Sequence, residues 1–591
     1  MRLRHVVASS LAVLICAACS AIPDSGPLTV VEPSAEPTVA SPGRLDPAPP
    51  KPGSSPRQLV RDFIYAMQAY PVSTDVAREY LSNDAVDSWN PWLTTVIYES
   101  AEFGEDLDAT VEMQVVERAR LDAQGTYSPR IAGQQRAAVQ WRLLLEDGEW
   151  RIANPPDALY VEATYFEDYY SSYNLYFLEP FEEVAVGEPV YFPTGDQLAT
   201  NLVRALLAGP SPSTSEHLRT ALPSTGRLEV AIPVELNGVA EVRLTVPEEQ
   251  LSKHQAELMS VQLVSTLRQV PGVLGVRIVV NEVPLDVGRL TDVQDATDWE
   301  YYVPAHNVVE RRLFALEARR LVTIEGAFVA PVDTPLGRQP QDLDWVLVKE
   351  STEQLLGVSR DGRRLITGPV GSSSGELAPI AVRGTDFGRP THDRGGAVAV
   401  VDRTSVGSRL VVVENVDTAD AARVPLGPLS PLHVDAFTLS PDGVRFVAVA
   451  SRNAADGAPA RLFTGWVTRN RDGQISGVSE VRPLTVSGQQ FVDVRDAGWT
   501  GENAVALIGR FAGSPHEIYT VDIDGSDLSG GQVSGEPLPE QLDPVWLATA
   551  GLEDAPVYAA ALDGTLWLRD DDGQWRALAG AKRLRSATFA G

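Results

Sequence analysis

Apolar positions recur at helical spacing near the start of the chain and at strand spacing beyond it. Leu59, Val60, Phe63, Ile64 and Met67 share one helix face until Tyr70-Pro71 ends the segment, and a second helical pattern carries Val76, Tyr80 and Leu81 to Trp89 before Pro91 breaks it. Alternating runs follow at Thr95 to Tyr98, Val111 to Val116 and Ala137 to Leu145, the last turning at Asp147-Gly148 into Glu149 to Ile152. Two helices followed by an antiparallel sheet predict a small α+β domain over residues 57–185. Seven rings, Tyr165, Phe166, Tyr169, Tyr170, Tyr173, Tyr176 and Phe177, come next. With Pro180 directly after them, they are expected to pack a domain junction.

Helical spacing returns from Asp196 to Leu207 and stops at Gly209-Pro210. Strands are predicted over Arg227 to Ile232 and Val239 to Val246, a helix over Glu248 to Arg268, and a β-branched strand over Gly275 to Val280. This is an α/β module over 186–295. Four short motifs resemble, in order, the GerM-type module of bacterial spore and envelope proteins: Leu206 to Pro210, Ala221 to Thr225, Val264 to Leu267, and Pro271-Gly272-Val273 ahead of Val276 to Asn281.

Beyond residue 300 the chain becomes short β-rich runs separated by turn signals. LLGVSRDGRRLITG, from Leu355 to Gly368, and FTLSPDGVRFVAVA, from Phe437 to Ala450, repeat one unit of strand, serine, Asp-Gly turn and strand. Their aspartates, Asp361 and Asp442, are 81 residues apart (442 − 361), about two periods of 40, the spacing of propeller blades. An all-β propeller of about six or seven blades is therefore predicted for residues 300–591. The fold class is multidomain, with an N-terminal α+β domain, an α/β GerM-like module and a C-terminal propeller.

The first residues add a location. Arg2, Arg4 and His5 precede the apolar stretch Val6 to Ile15, and the small residues Ala17 and Ala18 stand before Cys19, which is the layout of a lipoprotein signal peptide over residues 1–18. Cys16 stands where Leu is commonest in such signals. Cleavage before Cys19 would leave a cysteine carrying S-diacylglycerol and N-acyl groups. Ten prolines between Pro23 and Pro56 mark residues 19–56 as an extended tether. The expected localisation is the extracytoplasmic face of the cell membrane, held by lipid. A formal net charge of −30, from 49 basic and 79 acidic residues, argues against a nucleic-acid partner, because phosphate binding needs a basic footprint.

Candidate chemistry is sparse. Gly371 to Gly375 spells the G-x-S-x-G nucleophile elbow, but Pro379, Gly384 and Pro390 interrupt the helix that such an elbow needs. Leu528 to Gln532 spells a transporter-ATPase signature without any phosphate-binding loop. The histidines, His5, His217, His254, His306, His392, His433 and His516, show no ligand spacing, and Asp522, Asp524 and Asp527 lack the bidentate Glu of a calcium loop. These aspartates, Glu146-Asp147 and Asp570 to Asp572 read as solvated turn carboxylates. No catalytic residue, metal site or cofactor is expected, and the chain reads as a non-enzyme.

The order of parts, with Trp89-Asn90-Pro91 and the Phe437 to Ala450 repeat, resembles the LpqB family of actinobacterial lipoproteins over the whole chain. That resemblance implies an accessory to the MtrA–MtrB two-component system. Its partner would be the extracellular domain of the MtrB-like sensor histidine kinase, and envelope homeostasis and division would follow from the contact. An envelope glycan-binding or scaffolding lipoprotein without a kinase partner is the alternative, and a hydrolase with a site across the propeller mouth is a third reading.

Overall fold

The computed structural model describes residues 43–590 apart from 132–134, 247–250, 289–290, 304–311, 350–351, 372, 417–419, 453–458, 527–537, 540–541, 554, 571–572 and 579–583. Cys16, Cys19 and the tether as far as residue 42 lie outside the described residues, as do His306, Asp527 and the Leu528 to Gln532 motif. Arg44 onward forms one unit.

Helix α1, Pro56–Ala66, starts where the sequence sets it. Ser55 caps it by accepting from the Gln58 amide at 3.3 Å, and proline fills the first position, where no amide partner is needed. Its buried face, Leu59, Val60, Phe63 and Ile64, lies on a six-stranded sheet. In spatial order the strands are Glu149–Ile152, Arg136–Glu146, Thr110–Leu121, Thr95–Leu107 and Leu159–Glu162, with Tyr127–Pro129 beside the third. Phe63 meets Trp89 and Trp141 at ring distances of 5.4 and 5.7 Å. Each such ring contributes roughly 1.5–3 kcal/mol by burial. The single helix predicted from Val76 to Trp89 is instead two short ones, Asp75–Arg78 and Asn83–Ser88. Between them the backbone pairs with the sheet edge: the Ile152 amide donates to the Tyr80 carbonyl, and the Ser82 amide donates to that of Ile152.

Helix α2, Ala163–Tyr169, leads into a linking hairpin of strands Tyr170–Leu178 and Ala185–Pro193. The aromatic run packs this junction as expected. Tyr165, Phe166 and Tyr170 join Tyr127 and Tyr191 on one side. Tyr173, Tyr176 and Phe177 enter the core of the next module.

That module sets helices α3, Leu198–Ala208, and α4, Lys253–Leu267, against the hairpin and a five-stranded sheet in which Val239–Thr245 pairs parallel with Gly275–Val280. Helix α4 is buried on nearly every side from Leu258 to Leu267, so its apolar pattern is continuous and not one-faced. A capping box between Ser252 and Gln255 sets its start. Glu248, where the helix was expected to begin, lies outside the described residues. The strand predicted from Arg227 to Ile232 shrinks to Arg227–Leu228, because the Ile232 amide turns away to donate to Thr200 Oγ1 at 3.0 Å.

The described residues beyond 312 form six blades. Blade 1 holds Leu313–Glu317, Arg320–Glu325 and Phe328–Pro331, and its innermost strand is Leu584–Phe589 from the far end of the chain. Blades 2, 3 and 4 begin at Leu343, Phe387 and His433 and have four strands each; blade 5 begins at Asp493 with three described strands, and blade 6 at Pro544 with four.

The blade period is therefore not the one read from the Asp-Gly repeat. Ser359 to Gly362 joins the second and third strands of blade 2, whereas Ser440 to Gly443 joins the first and second strands of blade 4. The two turns share their chemistry: each serine accepts from the amide five residues on at 2.9 Å, and each glycine has a φ near +70°, at +68° and +73°. Such a turn suits any hairpin of a blade. Blades 2 and 4 start 90 residues apart (433 − 343), two periods of about 45.

Candidate functional site

Inner strands run parallel around a propeller, so the turns after them share one face. On this face the turns of blades 3, 4 and 5 receive the linking hairpin and the module that follows it. Their polar side chains form a buried network with it.

Glu502, in the turn of blade 5, is 3% exposed. Its carboxylate accepts from Tyr176 Oη at 2.9 Å, from Asn174 Nδ2 at 3.1 Å and from the Gly187 amide at 3.2 Å, all on the hairpin. Gly187 leaves room for that carboxylate, since a Cβ there would stand 2.9 Å from it. Beside it, Arg445 spans blades 4 and 5. It donates to Asp442 Oδ2 at 2.5 Å, Asn503 Oδ1 at 2.6 Å and the Glu502 carbonyl at 3.0 Å, and its guanidinium lies 5.6 Å from the Trp499 ring centroid. Asn503 in turn donates to Asn174 Oδ1 at 2.7 Å. Burial pushes the Glu502 carboxyl up to about 7, against the Arg445 guanidinium and the Tyr176 hydrogen bond that favour the ionised form.

Two further contacts extend the joint. Arg469 clasps Asp393 of blade 3 with both terminal nitrogens, at 2.6 and 3.1 Å, and donates to the Gly443 carbonyl at 2.7 Å. Gly443 is fixed by space as well as by conformation, since a Cβ would stand 2.7 Å from Asp393 Oδ1. Farther out, Tyr191 Oη bonds Ser526 and donates to Asp524 Oδ2 at 3.1 Å. Asp524 is thus no solvated turn carboxylate. It holds the hairpin to blade 5, and burial raises its pKa. Asp522 accepts from Ser526 Oγ in the same turn.

The central channel is crossed by an ion pair. Arg389 of blade 3 donates to Asp496 of blade 5 through both terminal nitrogens, at 2.9 and 2.8 Å, beneath the Trp345 ring. Asp496 also accepts from the Leu547 amide at 2.7 Å. Both charges are satisfied. Strand Ala378–Arg383, not a helix, follows Gly371 to Gly375, so that elbow motif is a blade loop. Among the described residues no group of three or more His, Cys, Asp or Glu could hold a metal ion. The arrangement is that of a fixed joint between the hairpin and the propeller.

Sequence reasoning missed Glu502 because Gly501-Glu502-Asn503 looks like any charged turn. Arg445 did leave a signal: it is the one charged residue in the apolar run Val444 to Ala450, whose every residue is buried.

An α+β domain, an α/β module and a six-bladed propeller joined through a buried network define a multidomain protein with an all-β C-terminal half. Family models agree with that division. The model described as "Lipoprotein LpqB, N-terminal domain" matches residues 49–167, "Sporulation and spore germination" matches 174–286, and "Lipoprotein LpqB beta-propeller domain" matches 319–586. Lipoprotein LpqB of Streptomyces avermitilis is 26% identical, covering 94% of this chain and 93% of its own. That of Cutibacterium acnes is 25% identical over 97% of both chains. The chain belongs to the LpqB family of lipoproteins. Among solved structures, TolB from Acinetobacter baumannii aligns at 16% identity over 47% of this chain and 66% of its own with a TM-score of 0.33, so the propeller assignment rests on strand pairing instead.

Proposed function

We propose that this lipoprotein is anchored at the extracytoplasmic face of the membrane through Cys19, acylated as S-diacylglycerol and N-acyl cysteine, and acts without catalysis as an accessory to an MtrB-like sensor kinase. The observation that carries this reading is the joint around Glu502 and Arg445. It locks the hairpin and the propeller into a fixed relation, which suits presentation of a surface to a protein partner and serves no evident chemistry.

The anchor reading is supported by the family name and by the sequence around Cys19. No helix among the described residues is long and apolar enough to cross a membrane. The two acyl chains of the diacylglyceryl group alone, each CH₂ contributing about 0.8 kcal/mol, would hold the chain stably. Cys19→Ala is expected to move the protein from carbonate-washed membranes to the soluble fraction; retention of the variant would refute the anchor.

The partner reading is tested on an immobilised kinase ectodomain with the full chain across a salt series. Rim charges govern encounter more than dissociation, so a chain of net charge −30 should associate more slowly as salt rises while its dissociation changes less. Absence of saturable binding at every salt concentration would sink the kinase reading.

A further inference from the structure

The N-terminal domain holds a cavity of about 420 Å³ between α1, α2 and the chain segment 45–51, inside the roughly 300–1,000 Å³ range of small-ligand sites. Its walls are held by bonds. Leu45 and Tyr70 exchange backbone hydrogen bonds at 2.9 and 3.0 Å, and Tyr80 Oη donates to the Ala48 carbonyl at 2.8 Å, so segment 45–51 stands as a strap in front of the helix. On the other side Tyr165 donates to the Ala69 carbonyl at 2.7 Å and stacks on Tyr169 with 4.7 Å between centroids. That stack fixes the Tyr169 ring at the cavity edge.

Two features point to a ligand. Tyr65 keeps 57% of its surface exposed on α1, a large ring left bare at the cavity. Gln68, only 6% exposed, lines the same space with its amide poorly satisfied: its contacts with Tyr98 Oη and the Glu162 amide are 3.4 and 3.5 Å, at the limit of hydrogen bonding. A buried amide can make four hydrogen bonds and costs stability when they go unmade. Asp62 and Asp168 line the cavity as well, against one cation, Lys51.

The chemistry selects the occupant. Tyrosine faces are electron-rich and take the C–H face of a pyranose ring, while planar amide and carboxylate groups match pairs of neighbouring hydroxyls. Two carboxylates against one ammonium disfavour an acidic sugar. We propose that this cavity binds a neutral oligosaccharide. The proposal is independent of the kinase reading, because it places a ligand in a different domain from the joint.

The test is saturation-transfer NMR on the full chain with triacetylchitotriose, maltotriose, cellotriose and, as an acidic control, trigalacturonate. Transfer to the C–H protons of at least one neutral trisaccharide is expected, and none to the control. Tyr65→Ala and Asp168→Asn, both at exposed positions, should each weaken that binding at least ten-fold with the melting temperature unchanged. The proposal is overturned by silence from all three neutral sugars, by preference for trigalacturonate, or by binding that neither substitution alters.

Discussion

Deleting residues 584–591 is expected to abolish cooperative unfolding of the propeller while leaving the N-terminal core intact. The lost segment is the innermost strand of blade 1, paired with Leu313–Glu317 through Leu313↔Phe589 and Phe314↔Thr588. It also stitches blade 1 to blade 2: the Val346 amide donates to Ser586 Oγ at 2.8 Å, and Thr588 Oγ1 donates to the Val346 carbonyl. Leu584, Ala587, Phe589 and Ala590 are all buried. Losing a buried Phe side chain alone costs about 3–5 kcal/mol, and a domain has only about 5–15 kcal/mol in all. Without the strand the ring stays open between blades 6 and 1. Calorimetry reads the result, as a propeller transition lost and an N-terminal transition kept. A truncated chain that kept a cooperative propeller transition would show that closure does not depend on this strand.

Glu502→Ala should be the most damaging single substitution at the joint, by about 3–5 kcal/mol, because it leaves Tyr176, Asn174 and the Gly187 amide without their acceptor inside a buried contact. Glu502→Gln isolates the charge. The folded carboxyl titrates near 7 and the unfolded one near its ordinary 4.5. Below about 4.5 both states are protonated and the group leaves stability unchanged. As pH rises from 4.5 to 7 the unfolded state gives up its proton first, so stability falls, by up to roughly 3 kcal/mol once both are ionised. Asp524, raised by burial in the neighbouring contact, has the same sign. Urea midpoints at pH 5, 6, 7 and 8 should therefore decline for the parent chain and decline less for Glu502→Gln. Equal slopes in the two proteins would show that Glu502 is not the group titrating.

What the sequence made legible follows from how local each cause is. Helix α1 announced itself through the apolar stripe of Leu59, Val60, Phe63, Ile64 and Met67, all within nine residues. The Asp-Gly turns were equally local, and the propeller class followed from them. The blade period was misread for the same reason, since the Ser359 and Ser440 turns are alike in chemistry yet close different hairpins. The break at Leu81-Ser82 needed Ile152, some seventy residues on. The joint is less legible still, because Glu502 meets Asn174 and Tyr176 across more than three hundred residues of chain. Nothing near any of the three shows that they meet. Cys19 lies outside the described residues, and its reading rests on the sequence alone.

Blade 1 takes its strands from both ends of the propeller sequence, which bears on how the chain is made. Leu313–Glu317 emerges early, yet its inner neighbour arrives with the last eight residues. At roughly 5–20 residues per second of synthesis, that edge waits on the order of tens of seconds for its partner. During the wait it is an open template for mispairing, and such distant pairing is intrinsically slow to form. The same delay keeps the unclosed chain threadable, so a protein delivered through a membrane pore would reach the far side before its ring could shut.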